Sequence, residues 1–341
     1  MPEEPLVSAV ITAYNHEAYI AQAIDSALAQ ETDYEYEIVI GEDCSTDRTR
    51  QIVCDYQHRY PQVIRVVTAE RNVGLLANFD RTVRAARGKY IACCSGDDYW
   101  HNRTRIAKQT AFLEGNPEYG MIHGDVDHLH EPDGFVVRNA DSHRPQPPVS
   151  DGDIRSLLMG RCPVNAGTAM FRKSLFSTYY DLRELREHQF LMEDTPLWLE
   201  IGAHAKLRYL PESLLTHREM AGTISNPHSF EDKVRFIESS RACLRHYCLK
   251  YRDLVPDQEA VLESIDSRVE LALLSAAFEA RRSGDLRASY RKLRSGAGRR
   301  YLTSKKRVMY YVTFIPRGMS LYSGLRRAKR RLRKMATQER I

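Results

Sequence analysis

The chain has 341 residues, 43% of them hydrophobic, with 50 Lys or Arg against 45 Asp or Glu and a formal net charge of +5. That length suits one α/β catalytic domain with an appendage, and no stretch approaches the roughly 20 apolar residues that cross a bilayer, so a spanning helix is excluded. The charge is uneven, because residues 299–341 hold fourteen Lys or Arg against one acid, which makes the body acidic and the tail strongly basic.

Met-Pro-Glu-Glu-Pro leads straight into an apolar strand without the basic and small-residue segments of a secretory signal, so a cytoplasmic location is expected. Seven cysteines (Cys44, Cys54, Cys93, Cys94, Cys162, Cys243 and Cys248) form neither CxxC pairs nor a regular framework. Reduced, mostly buried thiols are expected.

Val7 to Thr12 is an apolar strand, Tyr14-Asn15 a turn with Asn15 as candidate cap, and Ile20, Ala23, Ile24, Ala27 and Leu28 recur at helical spacing. Glu37 to Ile40 is a second strand, running into Gly-Glu-Asp-Cys-Ser-Thr-Asp and a helix from Arg48 to Tyr60 that Pro61 stops. Ile64 to Thr68 is a third strand, Leu76 to Arg87 a helix closed by Gly88, and Tyr90 to Cys94 a fourth strand ending in Ser-Gly-Asp-Asp-Tyr-Trp. Four βα units predict an α/β, Rossmann-like sheet of mostly parallel strands with helices on both faces. In such sheets ligands sit beyond the carboxyl ends of the strands, where the polar clusters at 12–15, 42–47 and 95–98 all fall.

After a helix from Arg103 to Glu114 the pattern becomes irregular: a strand near Met121 to His128, a Pro-rich loop from Pro145 to Pro148, and short apolar segments to about Pro211. From Phe230 the chain is helical, with Ile237, Leu244, Cys248 and Tyr251 on one face, then Ile265, Val269, Ala272 and Ala276 on the next. Ser283-Gly284-Asp285 punctuates the hairpin.

No GxGxxG follows the first strand and no GxxxxGK[ST] occurs, which argues against dinucleotide and P-loop sites. Acidic groups stand there instead, and carboxylates facing a phosphorylated ligand need a divalent cation between them. Ser95 to Asp98 fits such a site as well as it fits a solvated turn, and Ser45, Thr46 and Asp47 fit a helix cap equally. Two acidic strand ends on one edge favour the ligand site.

The segments 7–15 (VSAVITAYN), 42–49 (EDCSTDRT), 71–74 (RNVG) and 88–100 (GKYIACCSGDDYW), in that order, resemble glycosyltransferase family 2, over about residues 6–225. The resemblance implies a GT-A fold and inverting sugar transfer from a nucleotide sugar, UDP by the family's habit, as in bacterial polysaccharide or O-antigen synthesis. Carried over by position, Thr12 and Tyr14 would contact the base, Asp43 would accept from its imide, Asp97 would hold the ribose and Asp98 would bind Mn2+ or Mg2+. Arg71 is a further nucleotide contact. Two departures stand out: Glu42-Asp43 replaces a pair of aspartates, and the adjacent Asp97-Asp98 replaces a longer acid triplet, leaving open which carboxylate faces the metal.

Glu193-Asp194-Thr195-Pro196 opens an apolar helix, where an acid is favoured by the helix dipole and explained almost as well as a plain cap. The resembling family has its catalytic base at this point, which makes Asp194 the candidate base. Segment 214–225 resembles one that ends in Arg-x-His, but Met220 stands where the histidine is expected. His217 or Arg218 would substitute, and Glu193, Trp100, His217 and Arg218 are candidates for the acceptor or diphosphate.

His123, Asp125, Asp127, His128 and His130 are better explained as a half-exposed strand than as a metal centre, because alternate side chains point to opposite faces. Cys93-Cys94 is explained as strand packing. In the tail, Val308 to Ile315 lies among Lys305, Lys306, Arg307 and Arg317, ahead of the cluster Arg326 to Lys334. It is too short to span a bilayer and suits an anionic membrane surface better than nucleic acid, which is not an expected partner.

The expected organisation is a GT-A catalytic domain at 1–229 (nucleotide half about 1–105, acceptor half about 106–229), a helical extension at 230–300 and a basic amphipathic tail at 301–341. The expected function is transfer to a hydroxyl of a glycan or lipid-linked acceptor by a cytoplasmic enzyme, peripheral at the inner face of the membrane. Competing readings are a nucleic-acid- or membrane-binding module with an inactive fold of this type, and a sugar nucleotidyltransferase, whose N-terminal glycine-rich loop is absent.

Overall fold

The computed structural model describes residues 4–131, 134–143, 149–220, 222–223, 226–295, 297–315 and 318–325. The Pro145 to Pro148 loop, Arg317 and the Arg326 to Lys334 cluster lie outside the described residues.

The elements of the first half are β1 (Val7–Ala13), α1 (Ile20–Leu28), β2 (Tyr36–Glu42), α2 (Thr49–Arg59), β3 (Ile64–Thr68), α3 (Leu75–Ala85), β4 (Tyr90–Ser95) and α4 (Arg105–Gly115). They continue with β5 (Tyr119–His130), β6 (Phe135–Val137), α5 (Ile154–Leu158), β7 (Met170–Arg172), α6 (Lys173–Tyr179), α7 (Leu182–Glu187), α8 (Asp194–His204) and β8 (Lys206–Glu219). Helices follow: α9 (Phe230–Lys250), α10 (Gln258–Glu279), α11 (Ser283–Ser295) and α12 (Ser304–Tyr311).

One sheet runs β3-β2-β1-β4-β7-β5-β6, with β8 also paired to β5. β3, β2, β1 and β4 are parallel, whereas β7 runs antiparallel to both β4 and β5. This is the mostly parallel, helix-flanked sheet expected from the sequence. The central strands are apolar on both faces because helices cover both: Ala9, Ile11, Ile38, Ile40 and Ala92 are buried on one face and Val10, Val39, Ile91 and Cys93 on the other. α1 contributes Ile20, Ala23, Ile24 and Ala27, one stripe at helical spacing.

The expected element boundaries agree with the structure to within two residues, and β3 coincides with its expected range. Asn15 does not cap α1; it adopts φ 55° and its side chain accepts from Thr46, leaving Tyr19 at the N-cap. The hairpin break lies at Ala280 to Arg282, with Arg281 at φ 58°, and Ser283-Gly284-Asp285 already begins α11. All seven cysteines are free thiols.

The chain divides into two compact units, 1–220 with 246–256, and 221–245 with 257–341. The division runs through α9. The last turn of α9 is tied to the first unit by polar bonds: His246 to Glu184, and Lys250 to both Glu184 and Glu200, each at 2.8–2.9 Å. In the second unit Leu274, Phe278, Leu286, Tyr290, Leu293, Met309 and Met319 form a separate core, drawn from α10, α11, α12 and residues 318–325. Among the described residues no helix is long and apolar enough to cross a membrane.

Candidate active site

Parallel pairing of β2, β1 and β4 puts Glu42, Ala13 and Ser95 on one edge, since Thr12 lies opposite both Gly41 and Ser95. The loops beyond that edge are laced together. Asn15 N–H donates to Ser45 Oγ at 3.0 Å, His16 N–H to Thr49 Oγ1 at 2.8 Å and Glu17 N–H to Asp47 Oδ2 at 3.0 Å. Tyr14 projects from this lattice at 40% exposure, available for stacking on a planar ligand.

The acids at the end of β2 have different tasks. Glu42 is fully buried, accepts from Ser45 N–H at 2.6 Å and pairs with Arg50 at 2.5 Å. Burial pushes its pKa up, but the Ser45 and Arg50 bonds outweigh that and hold it below the usual value. Glu42 is thus a buckle for the turn. Asp43, also buried, accepts from Val73 N–H at 2.8 Å and Gly74 N–H at 2.9 Å, clamping the segment that opens α3. Arg71 lies exposed just ahead of that segment. Gly41 is obligatory here, because a Cβ would lie 1.9 Å from Thr82 Oγ1.

At the end of β4, Asp97 accepts from the Ser95 hydroxyl and is partly exposed, whereas Asp98 is 4% exposed. β8 supplies the partners of Asp98: the Arg218 amide donates to Oδ1 at 2.8 Å, and His217 Nδ1 lies 3.1 Å from Oδ2. The bridge between Tyr99 and Thr216 brings the two segments together. Burial raises the Asp98 pKa, with His217 opposing; burial lowers that of His217, but Asp98 outweighs it and the imidazole titrates above its usual range.

Arg218 turns its side chain away from Asp98. Its guanidinium bonds Glu131 and Gln22 and sits 4.9 Å and 5.1 Å from the ring centroids of Tyr19 and Tyr99. Trp100, expected near the acceptor or diphosphate, is 3% exposed, donates to the Gly167 carbonyl at 3.1 Å and stacks on Arg105. Aromatic bulk beside a polar motif serves packing here.

Asp194 opens α8, with Glu193 at the N-cap making no side-chain cap bond. The Asp194 carboxylate accepts within its own turn, from the Thr195 N–H at 2.5 Å and hydroxyl at 3.1 Å. Both carboxyls titrate above their usual range. Burial is the larger cause, and for Glu193, pushed up to about 8, the charge of Asp194 adds to it. The expectation that the helix dipole keeps Asp194 readily ionised is therefore reversed by burial. The two acid pairs flank β4: Cys93 feels the charges of Glu193 and Asp194, and Cys94 those of Asp98 and Asp97.

β5 is buried over most of its length rather than half exposed. Asp125 accepts from the Val126, Asp141 and Ser142 amides, Asp127 from Asn139 N–H and the Ser213 hydroxyl, and His123 lies 3.3 Å from Cys162 Sγ. Burial lowers the His123 pKa to about 4. Among the described residues no three His, Cys, Asp or Glu gather as a metal cluster. One neighbour of the site is not evident from the sequence: His16 Nδ1 is buried with no hydrogen-bond partner among the described residues, and a Cβ on Gly96 would lie 2.7 Å from it. Its one signal is adjacency to Tyr14-Asn15.

Comparison with known proteins bears on the family and the fold. An uncharacterized protein of Mycobacterium tuberculosis is 32% identical over 236 residues, 68% of this chain and 64% of the relative, so the chain spans about 64% of that length. Staphylococcus aureus TarS residues 1–349, solved with UDP-GlcNAc, superposes with a TM-score of 0.57 at 17% identity, covering 92% of this chain and 82% of TarS. The mannosyltransferase PcManGT of Pyrobaculum calidifontis, solved with GDP-Man and Mn2+, gives 0.54 at 16% identity, covering 94% and 87%. These likenesses establish the fold. Residues 8–179, half of the chain, match Glycosyl transferase family 2, and the chain belongs to that family.

Proposed function

We propose that the protein is an inverting glycosyltransferase that moves a sugar from a nucleotide diphosphate, UDP in preference to GDP, to a hydroxyl of a glycan or lipid-linked acceptor in cell-surface polysaccharide synthesis. The observation that carries this reading is the meeting of Asp98, at the end of β4, with His217 of β8 on the edge where Tyr14, Asp43 and Asp97 also lie. In this reading Tyr14 stacks on the base, Thr12 and Asp43 read its edge, Arg71 approaches from the α3 turn, and Asp97 receives the ribose hydroxyls. Each Asp43 oxygen accepts one backbone bond and retains capacity for a second.

The Asp98 carboxylate and His217 imidazole are the residues that would hold the divalent cation, with donor phosphates completing its shell, and the mixed O and N set suits Mn2+ better than Mg2+. Bound there, the ion supplies positive charge to the departing diphosphate. Asp194 takes the proton from the acceptor hydroxyl as it attacks the anomeric carbon, and a pKa raised by burial strengthens it as a base. Glu193 sits beside it as a neutral acid through most of the physiological range. The membrane-facing part of the reading is a peripheral attachment at the inner leaflet.

Incubating the purified chain with UDP- and GDP-sugars, with and without Mn2+, and following binding and nucleotide release tests the proposal. Metal-independent binding of every donor, or binding of none, would overturn it.

A further inference from the structure

The second unit carries an apolar face that its own core does not use. Val308, Tyr311, Phe314, Ile315, Leu321 and Leu325 are each 41–69% exposed. Residues 318–325 are helical. Tyr311 follows Val308 by three residues within α12, and Leu325 follows Leu321 by four within 318–325, the spacings that align side chains along one side of a helix, while Phe314 and Ile315 come directly after α12. The opposite side is spent: Met309 and Met319 are buried in the cluster with Leu286 and Tyr290. A surface helix that faces only water normally carries polar residues outward, so two apolar sides imply a second partner.

The segment is also fixed in place. Arg287 donates to the Thr313 hydroxyl at 2.8 Å and the Thr313 carbonyl at 2.5 Å, and its guanidinium lies 3.9 Å from the Phe314 ring centroid. Lys305 and Arg307 are exposed on the first turn of α12, just ahead of Val308 in sequence, within a stretch that holds fourteen basic residues against one acid over 299–341. A second copy of the chain would bring the same strong positive charge to the contact. Nucleic acid would match the charge but has no use for Ile315, Leu321 and Leu325 as an exposed set.

We propose that this face docks into the interfacial layer of an anionic phospholipid bilayer, with the aliphatic and aromatic side chains among the acyl chains and the flanking cations on the head groups. The inference deepens the membrane-facing part of the reading above and needs neither the nucleotide nor the metal.

The full chain is tested by flotation with phosphatidylcholine vesicles, with and without phosphatidylserine. The wild type should float with the phosphatidylserine vesicles, less so as salt is raised. The variant Ile315→Ser/Leu321→Ser/Leu325→Ser keeps every charge, so a purely electrostatic contact would leave it floating as before. Apolar insertion demands a loss of at least about ten-fold in partitioning, given what burying three such side chains contributes. An unchanged thermal midpoint and UDP affinity control for folding. Equal flotation of variant and wild type, a wild type that stays unbound, or a variant whose only change is dissociation of a dimer on size exclusion overturns the proposal. A chain that binds UDP but not vesicles refutes docking alone, and one that binds vesicles but no nucleotide refutes the transferase reading alone.

Discussion

Glu193→Gln should stabilise the protein increasingly as the pH rises, and the reason lies in the burial of two adjacent carboxyls at the start of α8. Burial, then the charge of Asp194, pushes Glu193 from 4.5 to about 8. Its folded carboxyl thus holds a proton that the unfolded chain has already released. The folded state binds more protons than the unfolded one across that window, so stability is greatest below about pH 4.5 and falls as pH rises towards about 8. Every tenfold gain in proton affinity on folding corresponds to about 1.4 kcal/mol. Proton sharing between the two adjacent carboxyls and partial solvent contact reduce the total, which leaves about 2 kcal/mol at alkaline pH. At roughly 2–4 °C per kcal/mol for domains of this size, the variant should melt about 4–8 °C higher at the alkaline end. Thermal midpoints of both proteins, recorded by circular dichroism from about pH 5 to about pH 9, read this directly. A gap that stays constant with pH would refute the reasoning, and a variant without transfer at neutral pH would show that Glu193 does more than sit beside the base.

Asp194→Asn should keep donor affinity and lose transfer by about two orders of magnitude or more, measured as turnover against calorimetric nucleotide binding. His217→Ala and Asp98→Ala should each weaken Mn2+-dependent UDP binding, read by titrating Mn2+ at fixed nucleotide, whereas Trp100→Phe should change stability and not the Mn2+ dependence. Asp43→Ala removes the acceptor of the Val73 and Gly74 amides and should destabilise by about 1–3 kcal/mol in urea. Gly41→Ala, whose Cβ would press on Thr82, should cost a similar amount while sparing every charged group of the site.

The four βα units are legible because central parallel strands are continuous apolar runs closed by turn residues, a pattern that needs no tertiary information. The acids at 43, 97 and 98 stand out because strand ends in such a sheet converge on one edge. What the sequence hides is each carboxyl's partner. Glu42 and Asp43 are neighbours of similar chemistry, yet one fastens a turn through Ser45 and Arg50 while the other clamps the α3 segment. The polar residues of β5 resemble a solvated face, which is why half exposure is expected there, but their bonds are with amides from residues 139–142, far along the chain. The titration of Asp194 departs from expectation for the same reason, since the helix dipole is local and its burial is not.

Arg218 joins three segments that are remote in sequence. Its backbone holds Asp98, while its side chain reaches Gln22 on α1 and Glu131 beyond β5 between two tyrosine rings. Lysine keeps the charge but cannot grip both partners with one planar fork. Positions 22, 131 and 218 should therefore drift together or not at all among descendants of this chain. A lineage that exchanged one of them alone would be expected to carry a compensating change at another.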